Sequence, residues 1–188
     1  MNDVKKNLQG VFSPMCTPFR DEELDLKGLE KNIELMNKSG LKGYFILGTN
    51  GEFRTLSEDE RVQIIKTTVK NSAKDKIVMA GTGFESTRET IRHTKIAADL
   101  GVKMVSLLMP NFFAKKITAD AMIKHITAVA DKSPVPVLLY NNPSVAAGVT
   151  ISAGVIDAVS KHENVAGIKD SSKETWPEIV KYDSDSFS

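Results

Sequence analysis

The sequence predicts an α/β protein built on a parallel sheet covered by helices. Three observations carry that expectation. Short apolar runs of strand length alternate with longer segments whose apolar residues recur every three or four positions. The alternation repeats as six strand-helix units at a spacing of roughly 30 residues. No all-polar linker or low-complexity tract interrupts it, so a single domain over residues 1–188 is expected. Strict alternation implies parallel strands, because each helix returns the chain to the same end of the sheet.

The first unit pairs "GVFSPMC" (10–16) with a helix from about Asp25 to Lys38, where Leu26, Leu29, Ile33 and Met36 recur at helical spacing. "GYFILG" (43–48) is the second strand, and "LSEDERVQIIKTTVKNS" (56–72) the second helix. Ser57 with Glu60 three residues on reads as a capping box at its start. "KIVMAGTG" (76–83) leads to a helix through Thr87 and Ala98, closed by Gly101. "MVSLLMP" (104–110) precedes a helix near Ala119 to Asp131, and "PVPVLLY" (134–140) one near Ser152 to Ser160. "VAGIK" (165–169) precedes a short one near Glu174 to Lys181.

Two architectures accommodate this series: an open doubly wound sheet and a (β/α)₈ barrel. Six units suit the open sheet by count, whereas a barrel normally takes about 250 residues. Periodicity does not separate the two. In both, ligands gather at the C-terminal ends of the strands, so chemistry is sought there.

Composition narrows the function classes. A net charge of +1 over 188 residues favours neither nucleic acid nor an anionic membrane as a partner. No apolar run approaches the ~18 residues needed to span a bilayer, and "MNDVKKNLQGVFSPMCTPF" carries charges without an apolar core of signal-peptide length. Cys16 is the only cysteine and can form no internal disulfide, so a cytoplasmic setting is expected. In the first strand it reads as a small buried apolar residue. His93, His125 and His162 lack ligand spacing and read as exposed, so no metal site is expected. Trp176 is expected to pack the last helix.

The strand ends give a short list. In "GTNGEF" (48–53) two glycines flank Thr49 and Asn50, a turn that either offers backbone N–H groups to a carboxylate or phosphate or simply joins strand to helix. No Gly-Lys-Ser/Thr follows, which excludes a P-loop. "GTGFEST" (81–87) marks a tight turn with Ser86 as a helix cap. Tyr140 closes "VPVLLY" before "NNP", and Lys169 closes "VAGIK" 29 residues later, at the same level of the next strand. Neighbouring strands lie about 4.8 Å apart, so two inward side chains there can approach one another. Alternation puts Lys169 on one face with Gly167 and Val165, and Tyr140 with Leu138. A lysine in that place is either solvated or an amine kept partly dry, its pKa lowered and its nitrogen nucleophilic. A phenol beside it would make an acid-base partner; a tyrosine with its hydroxyl in water is the alternative. Ser171 and Ser172 form no nucleophile elbow.

"GTNGEFRTLSEDER", "YNNPS" and "GIKDSS" resemble three signatures of the dihydrodipicolinate synthase / N-acetylneuraminate lyase family. "TPF" (17–19) with "LDLKGL" (24–29), and "AGTG" (80–83) with "LGVKMVSLLMP" (100–110), resemble its N-terminal and central patterns in the same order. The resemblance implies a TIM barrel and a Schiff-base mechanism on pyruvate or a related 2-oxo acid, with no cofactor. It makes Lys169 the imine-forming lysine and Tyr140 the proton shuttle. Thr49 and Asn50, with their backbone N–H groups, would hold the carboxylate. The partners implied are small molecules, a 2-oxo acid and an aldehyde, and a homo-oligomer.

Departures from the pattern refine it. Family members usually carry Thr after the first hydroxyl residue of the glycine turn; Asn50 stands here. The synthases have a tyrosine after the strand-four proline, where this chain has Asn111, Phe112 and Phe113. They also have an arginine just after "YNxP", and no arginine or lysine lies between Ser133 and Ser160. The resemblance therefore points to an aldolase or lyase acting on a 2-keto-3-deoxy sugar acid or 4-hydroxy-2-oxoglutarate, with the synthase as the alternative. Members have eight strands, and "KYDSDSFS" ends where a seventh would begin, so a truncated barrel with open edges on its first and sixth strands is expected. A catalytically silent partial barrel is the further alternative.

Overall fold

The computed structural model describes residues 3–172 and 175–188. An opening helix, α1 (Asp3–Leu8), leads into β1 (Phe12–Pro14) and a small hairpin, β2 (Phe19–Arg20) with β3 (Glu23–Leu24). Strands and helices then alternate: α2 (Leu26–Asn37), β4 (Gly43–Ile46), α3 (Glu58–Asn71), β5 (Ile77–Gly81), α4 (Thr87–Asp99), β6 (Met104–Leu108), α5 (Ala119–Ala130), β7 (Val137–Asn141), α6 (Ala153–Val159), β8 (Val165–Asp170) and α7 (Trp176–Ile179). The predicted elements are all present, shortened by a residue or more at most ends. Glu174, the start predicted for the last helix, lies outside the described residues.

Six strands form one sheet in the order β1-β4-β5-β6-β7-β8, every pair parallel. Each strand therefore sits beside its predecessor in the sheet, which is the order of a barrel wall rather than of a doubly wound sheet, whose order reverses at a switch point. The wall is curled, because Phe12 of β1 and Lys169 of β8 line the same cavity, about 260 Å³, with Phe45, Met79 and Leu138 between them. The strand order and the curl settle the choice against the open sheet and in favour of six βα units of a TIM-barrel type fold.

Two apolar layers follow from that curl. The larger lies between sheet and helices and includes Leu29 and Ile33 of α2, Ile64 of α3, Ile126 of α5 and Val155 of α6. The smaller fills the interior with Phe45, Met79, Met104 and Leu138, against which Leu8 and Phe12 pack. Strands covered on both faces read as nearly continuous apolar runs, and β6 and β7 are buried throughout.

Local chemistry sets the element ends. Ser57 Oγ accepts from Glu60 N at 3.2 Å and Glu60 Oε2 accepts from Ser57 N at 2.6 Å, the expected capping box. Ser86 caps α4 by accepting from Glu89 N at 3.1 Å, and Gly101 leaves that helix at φ +97. The β2–β3 hairpin escaped prediction because Asp21 (φ 51) and Glu22 (φ 65) take left-handed conformations without a glycine.

Several expectations are corrected. Cys16 lies just past β1 and is exposed rather than buried. Trp176 is 60% exposed and packs little of α7. His93 and His125 are buried, and His162 is half-buried, its Nε2 3.0 Å from Asp131 Oδ1. His93 stacks on Phe84 with ring centroids 4.0 Å apart. The outer edge of β8 is not bare either: Ser188 N donates to Ala166 O at 3.0 Å and Ile168 N donates to Ser188 O at 2.8 Å, the pattern of a parallel neighbour. Gly167 permits that approach, since a Cβ there would stand 1.9 Å from Ser188 O.

The last correction concerns face. Val137 pairs with Val165 but Leu138 pairs with Gly167, so Ala166 is an extra residue in β8. Val165 belongs to the layer under the helices, whereas Lys169 lines the interior. The two do not share a face. The bulge is what turns Lys169 inward.

Candidate active site

Tyr140 and Lys169 are direct partners in the β7–β8 register. Lys169 Nζ stands 3.9 Å from the centroid of the Tyr140 ring, and donates to Ser171 Oγ at 3.2 Å. Lys169 is half-buried, so the dry pocket expected around it is open to solvent on one side. Tyr140 is 6% exposed, held edge-on by Phe45 with ring centroids 6.2 Å apart.

The Tyr140 hydroxyl lies 3.3 Å from Thr49 Oγ1 and accepts a hydrogen bond from Asn142 Nδ2 at 2.8 Å. Burial alone would raise the phenol's pKa. Hydrogen bonds to Thr49 and Asn142 and the nearby Lys169 charge outweigh it and hold the group below its usual value.

Thr49 comes from the glycine turn that follows β4. Gly51 N and Glu52 N are spent within the turn, on Gly48 O and Thr49 O at 3.1 Å each. The Thr49 and Asn50 N–H groups take no part in those bonds. Thr17, buried past β1, donates to Gly51 O at 2.7 Å and anchors the turn from below. Among the described residues, Thr49, Tyr140 and Lys169 are thus brought together. Asn50 is exposed in the same turn, with no side-chain hydrogen bond to the other three.

Sequence reasoning missed the residues that fix this trio. Asn141, 1% exposed, donates from Nδ2 to Asp170 Oδ1 at 2.8 Å and to Thr175 Oγ1 at 3.1 Å, and accepts from Ile151 N at 2.9 Å. It ties β7 to β8 one residue beyond the phenol-amine pair. The signal available was "NNP": two carboxamides at a strand end are more than a turn needs. After β6, Asn111 N and Phe112 N both donate to Glu85 Oε2 at 2.8 Å, while Phe112 and Phe113 are 78% and 68% exposed. No phenol reaches Tyr140 from there.

Among the described residues no three His, Cys, Asp or Glu side chains gather where they could hold a metal ion, and no helix is long and apolar enough to cross a membrane.

Comparison with known proteins agrees with the site's motifs. Residues 7–188 match the model of the Dihydrodipicolinate synthetase family. The chain is 38% identical over 167 residues to a probable mitochondrial 4-hydroxy-2-oxoglutarate aldolase of Emericella nidulans, covering 85% of this chain and 53% of that protein. It is 36% identical to a 4-hydroxy-tetrahydrodipicolinate synthase of Methanosphaerula palustris, covering 87% and 56%. The structure superposes on dihydrodipicolinate synthase from Aquifex aeolicus with a TM-score of 0.89 at 32% identity, covering 96% of this chain and 62% of that one. The chain spans about half the length of the curated relatives it matches. On this evidence the chain belongs to the dihydrodipicolinate synthetase family.

Proposed function

We propose that this chain carries the imine-forming centre of a class I aldolase-type lyase acting on pyruvate or a related 2-oxo acid. The observation that carries the reading is the in-register pair of Lys169 and Tyr140, with Thr49 on the phenol oxygen. In the forward direction the neutral Lys169 amine attacks C2 of the 2-oxo acid. Water leaves, its oxygen being that of the former carbonyl, and an iminium remains. The iminium draws electrons from C3, so a C3 proton departs and an enamine forms, which attacks an aldehyde carbonyl to make the C3–C4 bond. In reverse the same electron sink releases an aldehyde. Tyr140, hydrogen-bonded within the site, is placed to shuttle the proton lost and regained at the carbinolamine. The Thr49 and Asn50 N–H groups would hold the carboxylate. The protein's own lysine supplies the electron sink, so no cofactor is required.

The aldolase reading is favoured over the synthase because the loop after β6 brings no phenol to Tyr140. The synthase remains the second reading, supported by the name of the Methanosphaerula relative. A small-molecule aldehyde partner, homo-oligomeric assembly and a cytoplasmic location belong to the same proposal. The Emericella relative's name places that protein in mitochondria.

Borohydride reduction in the presence of pyruvate tests it. A reduced adduct on Lys169 by peptide mass spectrometry, absent in Lys169→Ala, is the expected result. Assay with 4-hydroxy-2-oxoglutarate against aspartate semialdehyde plus pyruvate then separates aldolase from synthase. A folded protein that forms no adduct makes this chain catalytically silent.

A further inference from the structure

The Tyr140 hydroxyl has a partner that the mechanism above leaves unused. Asn142 stands two residues on, half-buried, and its Nδ2 donates to Tyr140 Oη at 2.8 Å. Ser144 Oγ donates to Asn142 Oδ1 at 2.6 Å. Nδ2 on the phenol and Oδ1 under the Ser144 hydroxyl give both ends of the carboxamide a partner. Pro143 between the two residues restrains Asn142 and helps keep the carboxamide over its own strand end.

We infer that Asn142 is a positioning residue for Tyr140, directing the phenol proton toward Thr49 by occupying the other side of Oη. With a donor already on Oη, the hydroxyl hydrogen turns to Thr49 Oγ1, 3.3 Å away and the remaining acceptor at the phenol. The phenolate left when that proton moves keeps the Asn142 hydrogen bond, which strengthens as charge develops. The loop after β6 supplies no second phenol, since Phe112 and Phe113 carry no hydroxyl and are exposed. Asn142, in the turn after β7, supplies the phenol oxygen with a hydrogen bond instead. No proton passes through the amide; it holds the oxygen and stabilises its charge. The catalytic part of this inference rests on the Schiff-base reading of the site, whereas the Asn142–Tyr140 bond does not.

Two readouts keep these apart. Tyrosine carrying ¹³C at Cζ reports each phenol's titration, and with Tyr44, Tyr140 and Tyr182 as the three tyrosines, Tyr140→Phe assigns the signal. Asn142→Ala is expected to raise the Tyr140 pKa by about one unit, the size of one hydrogen bond to a charged group. Asn142→Asp, which can only accept, should raise it further, and Ser144→Ala, at an exposed site, should raise it by less. The rate of borohydride trapping with pyruvate should fall about tenfold in Asn142→Ala, its pH profile moving with the phenol. An unmoved Tyr140 titration in a variant whose spectrum is otherwise that of the parent overturns the inference. A moved titration with an unchanged trapping rate and profile overturns its catalytic part. If the parent itself forms no adduct, the Schiff-base reading fails, and the titration still decides whether Asn142 orients Tyr140.

Discussion

His125 shows what a single buried titratable group costs. It sits on α5 among Met122, Ile126 and Val129, its Nδ1 2.9 Å from Thr87 Oγ1 and its Nε2 buried without a partner. Burial lowers its pKa from 6.5 to about 4, with Glu85 the only charge opposing the shift. The unfolded chain therefore binds a proton that the folded one refuses between pH 6.5 and 4. Stability from this residue is fully present above pH 6.5 and falls by about 3 kcal/mol as pH drops through that window. Urea midpoints measured from pH 7 to 4 should follow that slope, and His125→Gln should flatten it. The residue was misread as exposed because its spacing was tested only against metal ligands. The same spacing, one turn from Met122 and Val129, places it on the buried face of its helix. Lys169, Tyr140 and Thr49 were legible because each stands at a strand end inside a distinctive motif. Asn142 was not, because nothing in "NNP" tells which carboxamide faces back along its strand.

At the scale of the element, β8 carries the sharpest prediction. Its bulge at Ala166 reverses which side chains face the interior, and the alternation argument in the sequence reached the right face for Lys169 from a wrong premise about Val165. Deleting Ala166 removes the extra residue and leaves simple alternation, with Val165 still opposite Val137 and Lys169 still opposite Tyr140. With Val165 held in the helix-side layer, the deletion should keep Lys169 facing inward and preserve trapping, whereas one residue inserted between Gly167 and Ile168 should send Lys169 outward and abolish it. Circular dichroism should keep its α/β shape. A trapped adduct on Lys169 in the insertion variant would show instead that the strand re-registers around the amine. The bulge was invisible in the sequence because "VAGI" is apolar on both faces, so no period distinguishes one register from the other.

For the whole molecule, the six units and their parallel order were legible because every strand is a short apolar run and every helix has a cap or a breaker. The choice between open sheet and barrel was not, since periodicity records local geometry while strand order is a property of the assembled sheet. Only the resemblance pointed to the barrel, and the order β1-β4-β5-β6-β7-β8 settled it.

That strand order also has a meaning in time. Because every strand pairs with the one made just before it, each addition closes only a short loop of chain, the condition for rapid, stepwise folding. As the polypeptide emerges from the ribosome, the wall can grow from β1 forward with no strand waiting for a distant partner. The phenol's strand is fifth in that sequence and the amine's strand sixth, so the phenol and the amine meet only after four other strands have been made. Pulse-labelling hydrogen exchange during refolding should protect β4 to β6 before β8. Simultaneous protection of all six strands would mean that the wall closes as one cooperative unit. In the stepwise case, Lys169 would join the sheet only after the first five strands had folded.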